Sequence, residues 1–257
     1  MHTTQPFSTS SSRTGMKPKK ETGLGPVTNT LSPKEIAHYI DHTILKADAT
    51  RDEIAKLCDE AKTHQFFSVC VNAANVAMAK EFVLGSDVRV CAVVGFPLGA
   101  TTPQVKAFET HEAVRAGAEE VDMVINVGAL KSGDFELVAQ DIQAVVDAAH
   151  GKLVKVILEC ALLTPEQITI ASSLAKGAGA DFVKTSTGFG PGGATTQDVE
   201  LMRSIVGDDM GVKASGGIRD YDTAMAMIKA GANRLGCSSG VKIVSGEDNS
   251  NQSDSTY

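Results

Sequence analysis

The stretch Leu153-Val154-Lys155-Val156-Ile157-Leu158 places a charged lysine in the middle of an apolar, strand-like run. The arrangement recurs in Asp181-Phe182-Val183-Lys184-Thr185 and Gly211-Val212-Lys213-Ala214-Ser215, so successive lysines are 29 residues apart (184 − 155 and 213 − 184). An ammonium group in a buried strand is costly unless other groups compensate its charge. Three such strands, each one strand-plus-helix unit apart, predict lysines that converge inside a barrel.

Eight strand candidates alternate with helical patterns between residues 34 and 244, and each of the first seven is followed by a helix. The candidates are 39–43, 67–72, 88–94, 120–126, 153–160, 182–185, 211–214 and 234–237. This order predicts the α/β class and a compact (β/α)8 TIM barrel in a single domain. A doubly wound open sheet is the alternative.

The two faces of the strands decide between these folds. In 153–160, Lys155 and Glu159 share one face, whereas Val156 and Leu158 lie on the other, because successive strand residues point to opposite sides. Segments 67–72 and 120–126 are divided in the same way. A doubly wound sheet would be apolar on both faces. The pattern therefore favours a barrel with a polar interior, in which Glu159 balances a mainly structural Lys155.

The bulk properties exclude several classes of protein. A net charge of −7 over 257 residues argues against nucleic acid and anionic membrane surfaces as partners. No apolar stretch approaches the ~20 residues of a membrane span. The five cysteines lack metal-site spacing, which predicts reduced core thiols, no metal site and a cytoplasmic location. Residues 1–33 and 245–257 are polar and predict a disordered N-terminal extension and a flexible C-terminal tail around the 34–244 domain.

The lysines suggest covalent chemistry with a carbonyl compound. If Lys184 and Lys213 lie on adjacent strands, two ammonium groups ~4 Å apart repel by about 4 kcal/mol at an effective dielectric constant of ~20. This repulsion favours the loss of one proton and leaves a neutral amine, the nucleophile of Schiff-base formation. From spacing alone, either lysine could be the nucleophile. Asp122 and Asp41 are carboxylates that could pair with a lysine or transfer a proton.

Two glycine-rich turns follow the last two strand candidates. Residues 214–219 read Ala-Ser-Gly-Gly-Ile-Arg, and residues 236–240 read Gly-Cys-Ser-Ser-Gly. In TIM barrels the loops after strands seven and eight commonly bind phosphate through backbone N–H groups. Both turns at these positions predict a phosphate site.

The motifs together resemble those of the deoxyribose-phosphate aldolases. The similarity runs from about residue 36 to residue 244 and rests on these segments: Asp41-His42-Thr43, Ser68-Val69-Cys70-Val71-Asn72, Gly95-Phe96-Pro97-Leu98-Gly99, Glu120-Val121-Asp122-Met123-Val124, Phe182-Val183-Lys184-Thr185-Ser186-Thr187-Gly188-Phe189 and Val212-Lys213-Ala214-Ser215-Gly216-Gly217-Ile218-Arg219. The Lys-Thr-Ser-Thr-Gly and Lys-Ala-Ser-Gly-Gly-Ile-Arg motifs, in this order and spacing, are highly specific.

The resemblance implies a lyase of the class I type that needs neither a metal nor a cofactor. It would reversibly cleave 2-deoxy-D-ribose 5-phosphate to D-glyceraldehyde 3-phosphate and acetaldehyde in deoxyribonucleoside breakdown, as a homo-oligomer that we expect to be a dimer. Lys184 matches the Schiff-base lysine, Lys213 the second lysine that assists proton transfer, and Asp122 the carboxylate of the proton relay. The phosphate-binding and pocket positions match Gly216, Gly217, Ser238, Ser239, Thr187, Asp41, Thr43 and Cys70.

Two features refine this expectation. Phe189 stands where some family members have a lysine that helps to hold phosphate, so phosphate binding would depend more on backbone donors and on Arg219. The chain ends in Tyr257, and some family members end in a tyrosine that assists proton transfer. Two other functions stay open: a transaldolase-like or other lysine-dependent aldolase, and a phosphate-binding barrel without catalytic activity.

Overall fold

Eight parallel strands pair in chain order, and the first strand pairs with the last, so the sheet is a closed barrel. This computed structural model describes residues 30–245. The strands are β1 Ile40–Ile44, β2 Ser68–Asn72, β3 Arg89–Val94, β4 Glu120–Val124, β5 Leu153–Ile157, β6 Phe182–Lys184, β7 Gly211–Ser215 and β8 Arg234–Cys237. The predicted TIM barrel is therefore confirmed, with strand ends that differ from the predicted ones by three residues at most.

Helices surround the barrel, and several begin and end at residues with clear capping roles. Thr50 and Thr164 cap helices α2 and α7 with capping boxes. Gly117 and Gly231 follow helices α4 and α9 with φ of +114° and +112°, a backbone conformation that favours glycine. The helices are α1 Pro33–Ala37, α2 Arg51–His64, α3 Val76–Phe82, α4 Pro103–Arg115, α5 Val127–Lys131, α6 Phe135–Ala148, α7 Pro165–Gly177, α8 Thr196–Val206, α9 Tyr221–Lys229 and α10 Gly240–Ser245.

The barrel wall separates two apolar clusters of very different size. The outward faces of the strands pack against the helices in one continuous core, to which Val156 and Leu158 belong. A small cluster of Leu45, Cys70, Cys91 and Val93 packs separately, with Phe96 against it. The predicted division of the strands into an apolar helix-facing side and a polar interior side is thus observed.

The ends of the described chain lie close to the predicted domain limits. Helix α1 begins at Pro33 and is capped by Ser32, just before the predicted domain start at residue 34. Residues 1–29 and 246–257, which include Tyr257, lie outside the described residues, so the two disordered tails stay predictions. Among helices within residues 30–245, none combines the length and the apolar character that crossing a membrane requires.

Candidate active site

The strand register brings the three lysines together inside the barrel. Lys184 on β6 is the in-register partner of Lys213 on β7, and Lys155 on β5 is the partner of Asp122 on β4. All four side chains are buried. The 29-residue spacing thus returns each lysine to the barrel interior, as the sequence predicts.

Asp122 is the centre of this group. Its Oδ2 atom accepts hydrogen bonds from Lys184 Nζ at 2.9 Å and from Lys213 Nζ at 2.8 Å, and its Oδ1 atom accepts one from Lys155 Nζ at 2.7 Å. The sequence predicts repulsion between Lys184 and Lys213 and a carboxylate, Asp122, that could pair with a lysine. In the structure a carboxylate lies between them, so the electrostatics of the site belong to the whole group.

A second part of the buried network lies around Arg234, next to the first. The guanidinium group binds both carboxylate oxygens of Glu120 and Oδ1 of Asp41, and it lies 3.5 Å from the centre of the Phe67 ring. Glu120 also pairs with Lys155 at 2.7 Å, and Asp41 pairs with Lys213. These contacts link the Arg234 cluster to the lysines.

The pKa values of the network follow from these contacts. Burial alone raises the pKa of Asp122, but Lys155, Lys184 and Lys213 hold it well below the ordinary value. Burial alone lowers the pKa of Lys213, but Asp122 and Asp41 raise it above the ordinary value. Asp122 is therefore ionised and Lys213 is positively charged at neutral pH.

Two glycine-containing loops meet at the carboxyl ends of β6 and β7. Gly216 and Gly217 have φ of +85° and +79°, so a residue with a side chain would be strained at either position. A methyl group at Gly193 would lie 2.3 Å from the carbonyl oxygen of Gly216. Apart from Gly217 itself and its neighbours in the chain, no atom of residues 30–245 lies within 4 Å of the place where a Cβ of Gly217 would stand. The turn predicted to bind phosphate therefore borders open space.

The remaining predicted positions lie directly after β8 or on β1 and β2. Ser238, which is exposed, and Ser239 follow β8 directly. The Thr43 hydroxyl donates to the backbone oxygen of Asp41 at 2.8 Å. Cys70 is buried beside Cys91, and hydrogen bonding between the two thiols lowers the pKa of Cys70 below its ordinary value. Asp41 lies inside the barrel but bonds to Arg234 and Lys213, which makes it part of the charge network.

Glu159 differs from its predicted role. The predicted ion pair with Lys155 is wrong, because β5 ends at Ile157 and Glu159 has a left-handed backbone with φ of +57°, which redirects its side chain. Glu159 instead accepts hydrogen bonds from the backbone N–H and the hydroxyl of Thr187. The Thr187 hydroxyl also accepts a hydrogen bond from Phe189 N at 3.0 Å. Thr187 thus fixes the loop after Lys184.

Aromatic rings form part of the rim above the lysines. The ring of Phe189 is 44% exposed and meets Phe96 edge-on, with 5.3 Å between the ring centres. Phe96 follows β3, and Phe189 belongs to the loop after β6. Phe189, at the position where some family members have a lysine, is therefore part of an apolar contact in this chain.

Sequence reasoning missed Glu120, Arg234 and Cys91 as members of the interior cluster. A usable signal existed for two of them. Glu120 stands two residues before Asp122 and hence lies on the same strand face. Arg234 is the first residue of β8, and the other residues of that strand are uncharged. The criterion that selected the lysines, a charge within a buried strand, would have selected both.

Comparisons with known proteins agree with this geometry. Residues 36–246 match the model of the DeoC/LacD family aldolases. A deoxyribose-phosphate aldolase of Streptococcus gordonii is 62% identical over 209 residues, which cover 81% of this chain and 95% of the relative. One of a Geobacillus species is 63% identical over 213 residues, covering 82% and 96%.

Solved structures are similar as well. A crystal structure described as a deoxyribose-phosphate aldolase of Coccidioides immitis has a TM-score of 0.83 and 42% identity, and the match covers 85% of this chain and 87% of that chain. The tetrameric deoxyribose-phosphate aldolase of Aeropyrum pernix has a TM-score of 0.78 and 34% identity, covering 83% and 91%.

The match over residues 36–246 shows that this barrel is an aldolase, and the chain belongs to the DeoC/LacD aldolase family. Within that family it belongs with the deoxyribose-phosphate aldolases, as identity of about 60% over most of its length shows.

Proposed function

We propose that the protein reversibly cleaves 2-deoxy-D-ribose 5-phosphate to D-glyceraldehyde 3-phosphate and acetaldehyde through a Schiff base on Lys184. The observation that carries this proposal is the contact of two lysine nitrogens, from Lys184 and Lys213, with one oxygen of Asp122. A free amine beside a permanent cation and a carboxylate is the arrangement that iminium formation requires.

The charges inside the barrel support Lys184 as the free amine. Three buried carboxylates, Asp41, Glu120 and Asp122, are balanced by three buried cations, Lys155, Lys213 and Arg234. Arg89, the first residue of β3, contacts Glu120, but its side chain is one-third exposed and hence partly screened by water. A proton on Lys184 would add a charge that no further buried carboxylate of the described cluster balances, and an unbalanced buried charge is costly.

The reaction then proceeds through iminium formation, cleavage of a carbon–carbon bond and hydrolysis. Lys184 Nζ attacks the C1 aldehyde of the open-chain sugar, water leaves, and the iminium forms. The C3 hydroxyl gives its proton to the relay of Asp122, Lys213 and water, and the C2–C3 bond breaks. Its electron pair forms an enamine on Lys184, and C3 becomes the aldehyde carbon of D-glyceraldehyde 3-phosphate, which leaves. Protonation of the enamine carbon and hydrolysis release acetaldehyde and restore the amine.

We place the phosphate group at the turns after β7 and β8. The support is the positive φ of Gly216 and Gly217, the open space beside Gly217, and the position of Ser238 and Ser239 directly after β8. Backbone N–H groups in such turns bind anions. Since Phe189 packs against Phe96, the loop after β6 provides an apolar wall at this point.

Borohydride trapping tests the proposal. Reduction of a mixture of the protein and 2-deoxyribose 5-phosphate should add the mass of a reduced substrate fragment to Lys184, as mapped by peptide mass. Lys184→Ala should show no adduct and no turnover, and Lys213→Ala tests the assignment of the nucleophile. An adduct on Lys213 would reverse the two roles. Release of acetaldehyde distinguishes this reaction from that of a transaldolase-like enzyme.

We also propose that Tyr257 assists proton transfer at C2. The support is its similarity to the terminal tyrosine of some family members. Deleting Tyr257 should slow turnover by roughly tenfold or more without changing the melting temperature, and unchanged turnover would remove this role.

Two further parts of the proposal concern assembly and location. We propose that the chain forms a dimer in the cytoplasm. All five cysteines are buried and unpaired, which fits a reducing compartment. Light scattering of the purified protein measures the mass, and that of a single chain would contradict the dimer.

A further inference from the structure

Cys70, Cys91 and Asp122 form a group of potential metal ligands inside the barrel. Cys70 on β2 and Cys91 on β3 are in-register partners, and Asp122 is on the next strand, β4. One ligand atom from each, two sulfurs and a carboxylate oxygen, lie within 4.8 Å of one another, and all three side chains are buried. The proposed reaction uses Asp122 but gives the pair of thiols no chemical task.

The geometry of the three atoms is close to that of a zinc site. A tetrahedral ion with metal–sulfur bonds of about 2.3 Å holds its ligand atoms roughly 3.5–4 Å apart. Cys91 Sγ is already 3.1 Å from Asp122 Oδ1, and the whole group spans no more than 4.8 Å. Small side-chain rotations would therefore complete three ligand positions, and water could occupy the fourth, as in open zinc sites.

Neighbouring ammonium groups are the main obstacle to a cation here. Lys155 Nζ lies 3.3 Å from Cys91 Sγ and 2.7 Å from Asp122 Oδ1. A divalent ion that binds both sulfurs replaces two thiol protons: two S–H bonds break, two metal–sulfur bonds form, and two protons leave to solvent. The net charge of the cluster is unchanged. Lys155 also keeps Glu120 as a partner at 2.7 Å after it gives up Asp122.

We propose that Cys70, Cys91 and Asp122 bind a thiophilic divalent cation such as Zn²⁺ or Cd²⁺, and that this binding inhibits the enzyme. By binding Oδ1, which lies 3.1 Å from Cys91 Sγ, the ion neutralises the Asp122 carboxylate, whose Oδ2 atom Lys184 and Lys213 share. Binding depends only on the three ligands, whereas the inhibition rests on the proposed function. Thiolate ligands select Zn²⁺ and Cd²⁺ over Mg²⁺ and Ca²⁺, which prefer oxygen.

The test is a titration of the full-length protein with Cd²⁺ in the presence of a non-thiol reductant. We expect about one ion per chain, an ultraviolet sulfur-to-cadmium charge-transfer band, and a fall in turnover of roughly tenfold or more that follows the band. A chelator should reverse both changes, and Mg²⁺ should cause neither. Absence of the band from the reduced wild-type protein would overturn the proposal.

Matched variants locate the site. Cys91→Ala should abolish the band and the inhibition, and Cys91→Ser serves if the alanine variant does not fold. Cys160→Ala is the control, because the Cys160 thiol is buried outside the barrel wall against Met202 and should leave both responses intact. A band of wild-type strength in the Cys91 variants would show that the ion binds elsewhere, and a band without loss of turnover would remove the inhibition. If the proposed reaction is wrong, trapping on Lys184 fails while the band still forms.

Discussion

The two parts of the buried charge network differ in how well their charges match. Around Arg234, a single guanidinium group serves two carboxylates, Asp41 and Glu120, and each of these carboxylates also has a lysine partner. Around Asp122, a single carboxylate serves three amines. We expect the matched ionic groups to hold the barrel interior in place, and we assign the proposed chemistry to the surplus amine at Asp122. Function should therefore be lost at one part and stability at the other.

The largest effect is expected at the surplus part. Asp122→Asn removes the proton relay and leaves three lysines without their shared carboxylate, so kcat should fall by roughly 10²–10⁴-fold, the usual contribution of general acid–base catalysis. Steady-state kinetics and borohydride trapping measure turnover and iminium formation separately. A variant that traps substrate and turns over at the wild-type rate would contradict the role of Asp122.

Substitutions in the matched part, around Arg234, should lower the free energy of unfolding. Arg234→Met leaves Glu120 with Lys155, and Asp41 with Lys213 and Lys155, as remaining buried cations. Removing one partner of a buried ion pair costs about 3–5 kcal/mol. Urea unfolding measures the loss. Adding Glu120→Gln to this variant should recover part of the lost stability, because it removes a buried carboxylate that has lost its guanidinium partner. If the double variant loses more stability than the two single variants lose together, the pairing of Arg234 with Glu120 is contradicted.

A smaller effect is expected in the loop that follows Lys184. Thr187→Val removes the hydrogen bond that the hydroxyl donates to the buried Glu159 carboxylate and the one that it accepts from Phe189 N. The loss should cost about 1–3 kcal/mol and raise KM, because the loop is less firmly held. Thr187→Ser keeps the hydroxyl and is the matched control. If valine and serine behave alike in urea unfolding, the hydroxyl contributes nothing.

The smallest effect is the pH dependence of the matched part. Burial raises the pKa of Glu120, but Arg234 and Lys155 lower it below the ordinary value overall. A carboxyl group whose pKa is lower in the folded state stabilises the protein fully above its unfolded pKa of about 4.3, and this stabilisation is lost as the pH falls toward the folded value. The stability difference between wild type and Glu120→Gln should therefore be constant from pH 6 to 8 and shrink below about pH 5. A difference that grows on acidification would contradict the sign.

The sequence predicted the barrel because alternation along a strand leaves a direct pattern. Lys155, Lys184 and Lys213 are interior by the same period-two rule that places Val156 against the helices. The ion pairs between interior side chains were less predictable, because they also join residues on strands that are not adjacent in the sheet. Glu159 shows the limit: it lies beyond the end of β5 with a left-handed backbone, so strand alternation does not apply to its side chain. The nucleophile itself was assigned by resemblance, since Lys184 and Lys213 are equivalent in spacing.

The contact between Gly193 and Gly216 has a consequence for redesign. With no room for even a methyl group between the two backbones, the loop that follows Lys184 and the turn after β7 must shift together. Reshaping the turn to enlarge the pocket for bulkier acceptors should therefore also displace that loop. Variation in substrate scope is therefore better sought across the mouth, at Phe96 and Phe189, where aromatic rings rather than two apposed peptide planes set the boundary.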